Sequence, residues 1–133
     1  MVVARDSGNV PDALAQALEL QCEAAAEGFD WNDNEGLWQK LAEEIEELRR
    51  AGDAAARREE LGDLLFMVVN LARHLGVEPT AALSAATAKF RRRYCYILER
   101  RSQLPPRGDT RRLARMEALW QEAKALEKRT TSD

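Results

Sequence analysis

The sequence predicts an all-α protein, a helical bundle built around an antiparallel helix hairpin. Three observations lead there. Apolar residues recur at helical rather than strand spacing along most of the chain. Glycine and proline are few, 7 and 4 in 133 residues, and most fall between the periodic stretches. Charged residues make up 32% and apolar ones 45%, the balance of a soluble helical domain. The length suits one domain with a proper core and is short for two.

In chain order, residues 1–9 read as a flexible lead and 10–130 as a single domain. Pro11 sits just inside a first helix that runs to about Ala26, with Leu14, Leu18 and Cys22 near one face. Residues 28–34 form a turn that carries two large aromatics, Phe29 and Trp31. These either plug the end of the bundle or border a pocket in which Trp31 stacks on a base. Asn34 caps the second helix, which ends near Ala51. Gly52 is a C-terminal stop and Asp53 an N-cap, so the third helix, from about Ala54 to Leu75, folds back through a tight turn. Gly76 stops it, and Thr80 caps a fourth helix through about Ser102. Its core face is Leu83, Ala86, Phe90, Tyr94 and Ile97. Residues 104–110 break the chain, and Asp109 or Thr110 caps a last helix with Leu113, Met116 and Trp120 on one side.

The chemistry concentrates on the hairpin. Leu37, Leu41, Ile45 and Leu48 mark a buried stripe on the second helix. At ~100° per residue Glu44 falls about 20° from Leu37, with Glu47 one turn on and Lys40 between them. The third helix is apolar nearly all round, and its polar strip holds Glu60, Asp63, Asn70 and His74. Asp63, flanked by Phe66 and Met67 in projection, is expected to be screened from open water. Counted from the turn, Glu44 and Glu47 lie at depths matching Asp63 and Glu60. Four converging carboxylates repel one another unless a cation joins them, and an all-oxygen set favours Mg²⁺, with Mn²⁺ as a substitute.

Glu43-Glu44-x-x-Glu47, a short gap, then Glu60-x-x-Asp63 resembles the signature of the MazG family of nucleoside triphosphate pyrophosphohydrolases. Gly28-Phe-Asp-Trp31, Gly62-Asp-Leu-Leu-Phe66, Asn70-Leu-Ala-Arg-His-Leu-Gly76, Lys89-Phe-Arg-Arg-Arg93 and Leu119-Trp120-Gln-Glu-Ala-Lys124 extend the likeness to the C-terminal domain of two-domain members. It covers roughly residues 10–128. One carboxylate motif is present where longer members carry two tandem domains, so the chain is either a single-domain member or a fragment.

The resemblance implies that Glu44, Glu47, Glu60 and Asp63 hold Mg²⁺, more than one ion with substrate bound. Glu43 positions water or holds Lys40, and Lys40, Lys89 and Arg93 contact phosphates. Trp31, Asn70 and Trp120 lie near the nucleotide. Water then attacks between the α and β phosphates to give NMP and pyrophosphate, a reaction suited to cleansing the nucleotide pool. dUTP, dCTP, a damaged nucleotide and phosphoribosyl-ATP all stay open as substrates.

Other classes fall away. A glycine-rich phosphate loop is missing, as is a Ser-His-Asp set, and Leu71 stands where a ferritin-like Glu-x-x-His site ending at His74 needs glutamate. A net charge of −3 gives no general pull toward nucleic acid or anionic membrane. Cys22 and Cys95 fit neither a disulfide framework nor a metal knuckle, which suits a cytoplasmic protein. The N-terminus lacks the apolar run of a signal peptide, and no stretch reaches the ~20 apolar residues of a membrane span. The rival reading is a non-enzymatic dimerisation or adaptor module whose acidic groove takes a basic partner. Residues 64–72, with Trp38, leave apolar surface that calls for a homo-oligomer, at least a dimer, and the resemblance implies a homodimer or a dimer of dimers.

Overall fold

The computed structural model describes residues 12–131, and all the regular structure among them is helical. They form α1 (Ala13–Ala26), α2 (Asn34–Arg50), α3 (Ala54–His74), α4 (Pro79–Glu99) and α5 (Arg111–Thr131), with a short 3₁₀ turn at Arg101–Gln103. No helix is long and apolar enough to cross a membrane among the described residues. The chain divides into two compact units, Met1–Ala82 and Leu83–Asp133. The lead at residues 1–9 and the helix-opening Pro11 lie outside the described residues.

In the first unit α3 packs against both α2 and α1, as its apolar surface requires. Carboxylates set the ends of these helices. Asp12 Oδ1 accepts from Leu14 N at 3.0 Å, Asp33 Oδ1 from Gly36 N at 2.9 Å and Asp53 Oδ1 from Ala56 N at 2.8 Å. The cap of α2 is thus Asp33 rather than Asn34, whose own backbone is already helical. Gly52 plays no left-handed stop, because Ala51 leaves α2 in extended conformation. The left-handed glycines are Gly28, Gly76 and Gly108, at φ +91°, +70° and +89°. At α4 the cap is Glu78, whose carboxylate accepts from Thr80 N (3.1 Å) and Ala81 N (2.6 Å). The Thr80 hydroxyl donates to Asp12 instead, which ties the start of α4 to the start of α1.

Burial corrects several expectations. Leu37 is fully buried on α2, but Ile45 is exposed because it stands ~80° round the helix from Leu37. On α1 the buried residue is Gln21, while Cys22 is exposed. Phe29, 84% exposed, plugs nothing. α3 buries Met67, Val69 and Asn70 and leaves Leu61, Leu65, Phe66 and Val68 exposed.

In the second unit Ile97, Leu119 and Ala123 are buried, whereas Leu83, Phe90, Tyr94 and Leu113 are exposed. The core register of α5 is therefore 116–119–123, not 113–116–120. Asp109 Oδ1 caps α5 through Arg111 N at 2.8 Å. α4 ends at Glu99, three residues short of Ser102, and the 3₁₀ turn follows.

Candidate functional site

The short link between Arg50 and Ala54 sets α2 against α3 and brings Glu44, Glu47 and Glu60 together. Each offers a carboxylate oxygen within 4.8 Å of the other two. Glu44 is 6% exposed, Glu60 half-buried and Glu47 exposed, so the cluster grades from interior to solvent. Glu44 Oε2 and Glu60 Oε2 are buried and have no hydrogen-bond partner among the described residues. Orphaned carboxylate oxygens beside one another are costly. Accordingly Glu60 is held above the ordinary carboxyl value by burial first, then by the charges of Glu47, Glu44 and Asp63. The donor set is all oxygen and anionic, so these residues fit a hard divalent cation.

Lys40 lies 3.3 Å from Glu44 Oε1 and 3.5 Å from Glu43 Oε2. Its ammonium is raised, chiefly by the Glu44 contact. One oxygen of Glu44 thus meets an ammonium while the other, Oε2, is buried without a partner among the described residues. Glu43 is largely exposed and outside the three-carboxylate cluster. Asp63 is also outside it, close enough to act on Glu60. It is exposed, contrary to the expectation of screening, because its neighbour Phe66 is itself uncovered.

Further along α3 a cavity of about 420 Å³ opens against α1 and the 28–31 turn, lined by Gln21, Phe29, Asp30, Trp31, Phe66, Asn70 and Arg73 among others. It gathers Trp31 and Asn70 together. The turn is pinned to the end of α3 by Asp30, which receives Arg73 at 2.6 and 2.9 Å and His74 at 2.9 Å. Those contacts, Arg73 first, hold the Asp30 carboxyl far below its usual range. Arg73 Nη2 also donates to Asn70 Oδ1 at 3.0 Å. Gln21, Asp30 and Arg73 were not singled out as site residues from the sequence. The usable signal was Gln21 itself, a polar residue seven after Leu14 and three after Leu18 on an apolar face.

In the second unit Arg93 donates to Glu127 at 2.9–3.3 Å and stacks 5.1 Å above the Trp120 ring, which packs on Phe90. Lys89, one turn before Arg93 on α4, is exposed. Glu127 is held below its ordinary value, mainly by Arg93.

Such a molecule is an all-α protein with a carboxylate-lined helix hairpin. A model of the MazG nucleotide pyrophosphohydrolase domain matches residues 32–97, about half of the chain, and spans α2, α3 and most of α4. The chain belongs to the MazG family. It is 49% identical over 82 residues to a nucleoside triphosphate pyrophosphohydrolase/pyrophosphatase MazG of Thermotoga maritima, covering 62% of this chain and 32% of that one. It is 39% identical over 122 residues to a nucleoside triphosphate pyrophosphohydrolase of Escherichia coli, covering 86% and 46%. An uncharacterised protein YabN of Bacillus subtilis is 42% identical over 71 residues, covering 53% and 14%. The chain thus spans less than half the length of each of these relatives.

Proposed function

We propose that this chain hydrolyses nucleoside triphosphates to a nucleoside monophosphate and pyrophosphate with Mg²⁺ bound at the hairpin. The observation that carries the reading is the trio Glu44, Glu47 and Glu60, two of whose buried oxygens lack any partner among the described residues. The names of the Thermotoga maritima and Escherichia coli relatives support the same reaction. Glu44, Glu47 and Glu60 would hold the ion, with Asp63 completing the set, and Mn²⁺ has the chemistry to replace it. Bound there, the cation supplies neutralisation of the phosphate oxygens.

The chain's own groups do the rest. Lys40 braces Glu44 and offers positive charge to phosphate, while Glu43 holds the proton of an attacking water. Lys89 and Arg93 are assigned to phosphate oxygens, Arg93 exchanging the carboxylate of Glu127 for phosphate. Trp31 and Asn70 meet the nucleoside, and Trp120 is a further aromatic contact. The protein would work as a homo-oligomer in the cytoplasm, clearing unwanted nucleotides.

Pyrophosphate release from a panel of nucleoside triphosphates, with Mg²⁺ and with chelator, tests the proposal. Metal-dependent release is expected. An adaptor with an acidic groove would instead show neither release nor calorimetric Mg²⁺ binding, and would hold a basic partner in a salt-sensitive way.

A further inference from the structure

We infer that the cavity between α1 and α3 reads the edge of a nucleobase, with Gln21 Oε1 accepting a base N–H. The inference rests on the proposed function in taking the ligand to be a nucleotide. Gln21 is 5% exposed, and its Nε2 donates to the Phe66 carbonyl at 3.0 Å. A carbonyl only accepts, so the amide is locked with nitrogen toward Phe66 and Oε1 the other way. That oxygen has no partner among the described residues. A buried acceptor walled off from solvent gains most when a ligand supplies the missing donor.

Asn70 is the second handle. Arg73 donates to its Oδ1, which fixes the amide, and leaves Nδ2 against the Met67 sulfur at 3.8 Å, a weak acceptor. The cavity therefore offers one oriented acceptor, Gln21 Oε1, and two donors with a hydrogen to spare, Asn70 Nδ2 and the unpartnered Arg73 Nε, beside the rings of Phe29, Trp31 and Phe66. That combination suits a flat, neutral heterocycle with an N–H beside an acceptor. It does not suit phosphate: the charge of Arg73 is already taken by Asp30, whose carboxylate lies on the same wall. α3 carries both features, with Phe66 and Asn70 ~9 and ~15 Å along its axis from Glu60.

The test pairs each base with an analogue lacking the edge N–H, all as α,β-imido triphosphates with Mg²⁺. The pairs are adenosine with purine riboside, cytidine with 2-pyrimidinone riboside, uridine with N3-methyluridine and guanosine with N1-methylinosine. In calorimetric titration of the unmodified protein, the best-bound base should exceed its analogue by about 10- to 100-fold. Gln21→Met, which keeps length and burial, should shrink that ratio to below about threefold. No discrimination by the unmodified protein overturns the inference without recourse to a variant. So does full discrimination retained by Gln21→Met. Pyrophosphate release is measured in parallel on the hydrolysable forms. Discrimination without release removes the proposed reaction and keeps this site, whereas release without discrimination does the reverse.

Discussion

At the residue scale, the carboxylates of the hairpin work against the fold, a cost that the cation of the proposed function would offset. Glu60 shows this most directly, since burial and three neighbouring charges all disfavour its ionised form. Glu60→Gln and Glu47→Gln should therefore raise the melting temperature of the metal-free protein while removing the stabilisation that Mg²⁺ gives the parent. Thermal melts with and without Mg²⁺ check this, and a variant that keeps the full Mg²⁺ response would take its residue out of the ligand set. Under the proposed function Lys89→Ala and Arg93→Ala would each remove one charge-assisted phosphate contact, worth ~1.5–3 kcal/mol, so triphosphate should bind about 10- to 100-fold more weakly with metal binding intact. Normal nucleotide titrations in both would reduce these side chains to surface and Glu127 pairing.

Asp30 has the opposite electrostatics from Glu60. Its carboxyl is depressed by Arg73 and His74, so it contributes stability that is full above its ordinary value of 3.8. That contribution drains away as the pH falls from there toward the depressed folded value. Asp30→Asn should melt below the parent at pH 7, and the two should converge in acid. A constant gap at every pH would show that the loss is packing rather than charge.

At the scale of elements, the helices were legible because their punctuation is chemical. Asp53 capping α3, Gly76 closing it and Asp109 opening α5 all follow from residue type at a boundary. What escaped was the choice between adjacent candidates, Asp33 over Asn34 and Glu78 over Thr80. There a side chain's tertiary partner decides: Thr80 is drawn away by Asp12, sixty-eight residues earlier. The convergence of Glu44, Glu47 and Glu60 was readable from depth along two helices, because a three-residue link leaves little freedom of register. The cavity was not readable, since it needs the 28–31 turn pinned to Arg73 and His74 across the sequence. If Asp53 fixes the start of α3, Asp53→Ala should cost ~1 kcal/mol of stability. Urea unfolding at constant m-value measures it, and an unchanged midpoint would mean that α2 packing alone sets the hairpin.

At the scale of the whole molecule, the unanswered feature is apolar surface. Leu61, Leu65 and Val68 are all exposed on α3, and at ~100° per residue they fall within about 60° of one another, a continuous stripe. In the second unit Leu83, Phe90, Tyr94 and Leu113 are exposed as well. The core of each unit is correspondingly small, with Leu37, Met67 and Val69 in one and Ile97, Leu119 and Ala123 in the other. Isolated exposed leucines are ordinary, but large apolar residues aligned along one helix face mark an interaction surface. A second copy of the chain is the economical cover, because a two-fold pairing hides the same stripe twice. Light scattering should therefore report a multiple of the 15.0 kDa chain at micromolar concentration. Leu65→Glu with Val68→Glu places two charges on the stripe without touching the carboxylate trio, and should shift the particle toward 15.0 kDa with helicity retained by circular dichroism. A parent protein that already runs at 15.0 kDa while releasing pyrophosphate would show that the stripe is bare in the working molecule.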